Sequence, residues 1–308
     1  MRIAILDDYQ NVATEIADWS GLDVTVFNEP LEDPAMSLKA FEIICIMRER
    51  TPFPRELIEQ LPNLKLLVTS GKRNAAIDKK AAKECGVIVC GTRSPGHATA
   101  ELTWGLILSL TRQIPAQFRN VQEGGWQLGL GCDLRGKTLA VIGLGRMGSQ
   151  VARIAQAFGM DVIAWSRNLT DSQAAEQDVK RVEKEDLFKQ ADIISIHMKY
   201  GPSIQHLVGE AEFALMKKTA YLINTSRAPI IDTTALISAL NSQEIAGAGL
   251  DVYDIEPLPK GHPLRSAPNC ILTPHVGYVT KETYEVFYGE TVDIVRRYLA
   301  GETLTVMT

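Results

Sequence analysis

The stretch TLAVIGLGRMGSQVARIAQAFGMDVIAWSR, Thr138 to Arg167, constrains this chain more than any other. Its first part, Thr138 to Leu144, is an apolar, β-branched run of the kind that forms a strand buried on both faces. Gly143, Gly145 and Gly148 then fall in GxGxxG spacing. Val151, Ile154, Ala155 and Phe158 follow at i, i+3, i+4 and i+7 and predict one face of a helix. Gly159 stands where a helix end needs a residue free to take positive φ, and Asp161–Ser166 reads as a second strand. In such a unit the first glycine permits the tight turn and the second lets the backbone approach a pyrophosphate. The third lets helix and strand pack closely, and the helix N-terminus offers N–H groups and a positive dipole end. GxGxxG alone is weak; strand, glycines, helix and second strand together predict a dinucleotide site.

Around this unit, short apolar runs alternate with helical patterns. Arg2–Leu6, Val24–Phe27, Ile43–Met47, Lys65–Thr69 and Val87–Cys90 read as strands, with helices over Pro54–Gln60 and Asp78–Glu84. Gly91 to Gly96 breaks the pattern and marks a boundary. His97–Ile114 reads as one long apolar helix, and the chain from Pro115, above all Glu123–Gly131, as an extended loop. That loop, with Trp126, either packs on a partner subunit or is a surface loop pinned by the tryptophan. Asp192–Met198, Ala220–Thr225, Gly247–Val252 and Cys270–Thr273 read as further strands, and Lys281–Leu299 as the last helix. The fold class is therefore α/β with two doubly wound parallel-sheet domains. A Rossmann-type cofactor domain, 97–282, is inserted in a flavodoxin-like substrate domain, 1–96 and 283–308, with a cleft between them.

With 308 residues the chain suits two domains, and 45% apolar with 22% charged residues is ordinary for a globular protein. A net charge of −5 gives no reason to expect nucleic acid or an anionic membrane as partner. No apolar run reaches a membrane-spanning length, and the N-terminus lacks a signal-peptide layout. The five cysteines are scattered without metal-ligand spacing. A reduced, cytoplasmic protein without a metal is the expectation.

Ligands of doubly wound sheets lie beyond the carboxyl ends of the strands. There the chain places Arg227, Glu256 and His275: a cation, a carboxylate and an imidazole. A carboxylate beside a histidine favours its charged form and fixes its tautomer, and an arginine holds a carboxylate bidentately. Taken singly, each reads equally as catalytic or as structural. His197 ends a strand and is expected to line the cofactor crevice, whereas His206 reads as a helix cap.

The ordered motifs GLGRMG, NTSR, GLDVYDIEP and TPHVG resemble the D-isomer-specific 2-hydroxyacid dehydrogenase family over essentially the whole chain. The resemblance implies hydride transfer between a nicotinamide cofactor and C2 of a small 2-keto or D-2-hydroxy acid. It makes Arg227, Glu256 and His275 catalytic, with His275 and Glu256 as the proton-transferring dyad and Arg227 as substrate anchor. Asp251 matches the family's nicotinamide-contacting aspartate. Ser70, Gly71 and Lys72 match its substrate-carboxylate loop, where backbone N–H groups do much of the binding. Arg48 and Arg50 either add carboxylate contacts or are solvated. The cofactor set comprises Gly143, Leu144, Gly145, Arg146, Met147, Gly148, Ser166, Arg167, His197, Thr225, Ser226, Asp251 and Gly277; the substrate set is Arg48, Ser70, Gly71, Lys72, Arg227 and His275. Ala228 stands where glycine is common, and Tyr278, where a small residue is common, is expected to narrow the mouth of the site. A homodimer is expected.

After the second strand of the fingerprint, Trp165-Ser166-Arg167-Asn168 holds no carboxylate for a ribose 2′-OH, while Arg167 suits a 2′-phosphate. NADP is thus favoured over NAD, the alternative being an Arg167 that stacks on adenine or lies in solvent. Two other readings compete. One is a phosphoglycerate dehydrogenase-like enzyme, here without an appended regulatory domain. The other is a nucleotide-dependent binding module like the C-terminal binding protein co-repressor, for which the mild acidic charge is a poor fit.

Overall fold

The computed structural model describes residues 1–307, which divide into two compact units: Met1–Pro95 with the described residues from Val279 onward, and Gly96–Tyr278. Among the described residues no helix is long and apolar enough to cross a membrane.

The first unit is a five-stranded parallel sheet of β1 (Arg2–Ile5), β2 (Asp23–Val26), β3 (Ile43–Ile46), β4 (Leu66–Thr69) and β5 (Ile88–Gly91). Its order, β2-β1-β3-β4-β5, is the flavodoxin-type order. Every residue of β3 and β4 is buried, as strands covered on both faces by helices require. The helix Lys281–Leu299 belongs to this unit and buries Tyr284, Phe287 and Tyr288; the Tyr284 hydroxyl lies 3.0 Å from Gln10 Oε1.

The second unit holds seven parallel strands: β6 (Thr138–Ile142), β7 (Asp161–Trp165), β8 (Lys180–Arg181), β9 (Ile193–Ile196), β10 (Tyr221–Asn224), β11 (Gly247–Leu250) and β12 (Cys270–Leu272). The order β12-β11-β10-β9-β6-β7-β8 reverses direction between β6 and β9, the switch point of a Rossmann sheet. Alternate residues of β6 feed two layers. Leu139 and Val141 pack with Trp104, Ile107 and Leu110, while Ala140 and Ile142 pack with Phe188, Phe213 and Leu236. Each such side chain contributes roughly 1.5–3 kcal/mol when fully buried.

Several expectations are corrected by the structure. The first fingerprint strand stops at Ile142, because Gly143 turns the chain out with φ 99°. The long helix ends at Thr111, and Gln113 takes φ 55° to start a second helix, Ile114–Gln122, where an extended loop was expected. Pro115 was the misleading residue. In the first turn its missing N–H costs nothing, so it opens a helix there rather than preventing one. The two-residue strand β8 is too short and too polar to show a pattern in the sequence. Phe158 does not complete the buried helix face: it is 39% exposed and stacks on Trp104 at 4.9 Å. His206 caps no helix. The cap is Asp232, which accepts from Thr234 and Ala235 N–H, and His206 Nδ1 lies 3.9 Å from its carboxylate.

Candidate active site

The dinucleotide end of the second unit is built as the glycines demand. A Cβ on Gly148 would sit 2.1 Å from the Gly143 carbonyl, so only glycine lets the helix Arg146–Ala157 approach β6. Around Gly145, the residue that caps this helix, a Cβ would meet nothing within 4 Å. No side chain caps that helix end, as at helix N-termini that bind phosphate groups. Leu144 is buried, Met147 packs on the core beneath, and the Arg146 guanidinium lies over Gly96.

Across the switch point, His197 follows β9 with Nε2 2.8 Å from Ser195 Oγ. Burial holds its imidazole down to about 4, which favours the neutral ring at ordinary pH. After β7, Arg167 is exposed and donates from Nη2 to the Ser203 carbonyl at 2.9 Å. Neither Ser166 nor Asn168 brings a carboxylate, and the next one, Asp171, lies 3.9 Å from Arg181.

The three charged residues expected to do chemistry follow three adjacent strands, β10, β11 and β12. After β10, the Asn224 side chain accepts from Ser226 N–H at 3.0 Å and donates to the Arg227 carbonyl at 3.0 Å, fixing that backbone. Arg227 is half-buried and donates from Nη1 to the Ser226 carbonyl at 2.7 Å. After β11, Glu256 Oε1 accepts the Tyr253 N–H at 2.9 Å, and Oε2 lies 2.6 Å from His275 Nδ1. The proton on Nδ1 is assigned from this contact, which leaves Nε2 for acid–base work. Burial pushes the Glu256 carboxyl up, but the His275 bond, the Tyr253 N–H and the charge of Arg227 bring it below its ordinary 4.5.

His275 itself has φ 53°, a left-handed conformation that a non-glycine residue holds only when its surroundings enforce it. Asp251 does much of the enforcing. Its carboxylate accepts from Thr273 Oγ1 at 2.6 Å and from the N–H groups of Val276 and Gly277, each at 2.8 Å. It is 1% exposed, and burial raises its pKa despite those donors. Gly277 is tightly placed: a Cβ would press on this carboxylate at 3.0 Å. Thr225 likewise turns its hydroxyl inward, 2.8 Å from Thr103 Oγ1, and the Ser226 hydroxyl bonds the Met198 carbonyl. Tyr278 meets the His275 ring edge-on at 5.7 Å.

In the first unit, the expectation for the Ser70–Lys72 amides is narrowed. The Ser70 N–H donates to the Ile46 carbonyl and the Gly71 N–H to Thr92 Oγ1 at 2.8 Å. Of the three amides, only that of Lys72 has no partner among the described residues. Arg48 shapes this loop: its N–H reaches Ser70 Oγ at 2.9 Å, its Nη1 the Ser70 carbonyl at 3.1 Å, and its guanidinium covers the face where Gly71 lacks a Cβ. Arg50 is neither a solvated residue nor a free anchor, since it donates to the Asp7 carbonyl at 2.8 Å and lies over the Tyr9 ring.

Comparison with known proteins agrees with this architecture. Residues 104–277 match the family profile described as D-isomer specific 2-hydroxyacid dehydrogenase, NAD binding domain. A glyoxylate reductase of Aeropyrum pernix is 41% identical over 240 residues, 74% of this chain and 71% of that protein. A D-3-phosphoglycerate dehydrogenase of Methanocaldococcus jannaschii is 34% identical over 98% of this chain, which spans only 58% of that longer protein. Among solved structures, the phosphoglycerate oxidoreductase of Vibrio cholerae o395 superposes with a TM-score of 0.91 at 36% identity, covering 97% of this chain and 99% of that one. By sequence profile, by relatives and by the two parallel sheets, the chain belongs to the D-isomer-specific 2-hydroxyacid dehydrogenase family of nicotinamide-dependent oxidoreductases.

Proposed function

We propose that this chain reduces a small 2-keto acid to the D-2-hydroxy acid, with His275, Glu256 and Arg227 as its catalytic residues. The observation that carries the reading is the 2.6 Å contact of His275 Nδ1 with a Glu256 carboxylate that also feels Arg227. The nicotinamide, when bound, supplies the hydride. His275 delivers the proton from Nε2 to the oxygen developing negative charge on C2. Glu256, ionised, holds the Nδ1 proton and balances the imidazolium. Arg227 pairs with the substrate carboxylate and polarises the carbonyl. From the first unit, the Lys72 N–H and ammonium and the remaining N–H groups of Arg48 contribute substrate contacts, with Ser70 and Gly71 shaping the loop. The test is turnover of a panel of 2-keto acids with each nicotinamide cofactor; no turnover of any member rules the reading out. The panel includes a keto acid carrying a 3-phosphate, because Lys72 and Arg73 are adjacent exposed cations that suit such a group. A clear preference for it selects the phosphoglycerate dehydrogenase-like reading.

For the cofactor, the exposed Arg167 beside a carboxylate-free turn supports NADP over NAD. Arg167→Ala is expected to weaken NADPH by about 10- to 100-fold, the equivalent of a charge-assisted bond of roughly 1.5–3 kcal/mol, and NADH far less. Equal changes in KM for the two cofactors contradict the assignment. Five unpaired cysteines fit a reducing, cytoplasmic setting.

The helix Ile114–Gln122 buries none of its residues. Ile114, Phe118 and Val121 lie on one face at 50%, 62% and 55% exposure, and Trp126 and Leu130 follow at 76% and 93%. Such a concentration of apolar surface supports a homodimer formed through this segment. Light scattering of Phe118→Glu is expected to give a monomer where the parent chain gives a dimer; a monomeric parent chain contradicts the assignment.

A further inference from the structure

Tyr253 occupies the turn between Asp251 and Glu256; its N–H meets Glu256, and its hydroxyl meets the carbonyl that also accepts the His275 N–H. Its N–H donates to Glu256 Oε1 at 2.9 Å, which leaves Oε2 to face His275. Its hydroxyl lies 2.8 Å from the Thr273 carbonyl and 3.2 Å from the Leu250 carbonyl. A hydroxyl has one proton to donate, and the shorter contact takes most of it. The Thr273 carbonyl is the acceptor of the His275 N–H as well, at 3.0 Å. The phenol thus joins the end of β11 to the carbonyl on which the left-handed His275 is seated.

We propose that the Tyr253 hydroxyl is a positioning group that sets His275 against Glu256; this rests on the proposed roles of that pair. The ring is 9% exposed and packs in the core, so a phenylalanine keeps the packing and removes only the donor. The Leu250 carbonyl keeps the Thr273 N–H at 2.9 Å, and the Thr273 carbonyl keeps the His275 N–H. No carbonyl is left bare, so the fold tolerates the change. What is lost is the brace that keeps the His275 turn from drifting away from Glu256. The charged and titratable groups around phenol and imidazole are Asp251, Glu256, Cys270, Arg227, Arg265 and Tyr278, and all stay in the variant.

The experiment compares Tyr253→Phe, Glu256→Gln and the double variant for keto-acid reduction across pH, with thermal unfolding alongside. Tyr253→Phe is expected to lower kcat roughly 3- to 10-fold, the scale of one hydrogen bond and a small misplacement. The KM for the nucleotide and the Tm stay near the parent values, and the falling limb of kcat moves to lower pH. The double variant is expected to be no slower than Glu256→Gln alone, because the phenol acts through the pair. A Tyr253→Phe enzyme with parent kcat and limb, beside an impaired Glu256→Gln, overturns the positioning role and leaves the pair standing. Additive losses, or a drop in kcat that follows Tm with the limb unmoved, overturn it too. If Glu256→Gln is itself as active as the parent, the pair reading falls and takes this inference with it.

Discussion

Arg227→Lys is expected to lose about 10²- to 10³-fold of kcat/KM for the keto acid although the charge is kept, with the KM for the nucleotide unchanged. The reason lies in geometry. Asn224, 1% exposed, brackets the turn after β10 through two 3.0 Å bonds, so the backbone at Arg227 has little freedom to adjust. One prong of the guanidinium is tied to the Ser226 carbonyl at 2.7 Å. This tie fixes the orientation of the planar fork, which on the proposed role pairs with the substrate carboxylate. A lysine ammonium brings one point charge on a flexible stem and cannot keep the Ser226 bond and two carboxylate bonds together. Each charge-assisted bond contributes roughly 1.5–3 kcal/mol, so losing one completely and weakening another gives the stated factor. A Lys variant within about threefold of the parent would mean that Arg227 does not anchor the carboxylate.

The dinucleotide unit was legible because its physics is local. Gly143, Gly145 and Gly148 have their roles within six residues of one another, and the structure gives each the space or the crowding its role needs. The strand ends carrying Arg227, Glu256 and His275 were legible because a parallel sheet delivers its polar residues to one edge. The features missed are those in which one group answers another far along the chain. Pro115 is a breaker in isolation, yet it opens a helix once Gln113 turns the chain. The Gly71 N–H looks available until Thr92 is seen beside it, twenty-one residues on. The three donors to Asp251, from Thr273, Val276 and Gly277, lie more than twenty residues on and are invisible in its motif. The Tyr253 hydroxyl is silent in the sequence, because nothing in DVYDIEP tells of a carbonyl twenty residues later.

The second large effect is in pH. On the role proposed for His275, reduction needs it protonated and oxidation needs it neutral, so the two directions are expected to have opposite limbs. Glu256 does not titrate in the working range, because its carboxyl is held below 4.5 in spite of burial. It therefore acts on His275 as a fixed negative charge 2.6 Å from Nδ1. Glu256→Gln removes that charge and keeps an acceptor for the Nδ1 proton. A lost opposite charge makes the imidazolium easier to deprotonate. With that charge gone, the falling limb of kcat/KM for reduction is expected to move to lower pH, and the rising limb for oxidation to move the same way. At pH 8 the variant is expected to reduce keto acid about 10- to 100-fold more slowly, part of the loss from protonation and part from the imidazolium it no longer balances. On the acid side, oxidation is expected to fall less than reduction does at alkaline pH, because the lost charge opposes the two directions differently. That asymmetry separates the dyad from a general loss of structure, which lowers both directions at every pH. Limbs that stay in place in both directions, measured where chemistry limits the rate, would show that Glu256 is not coupled to His275.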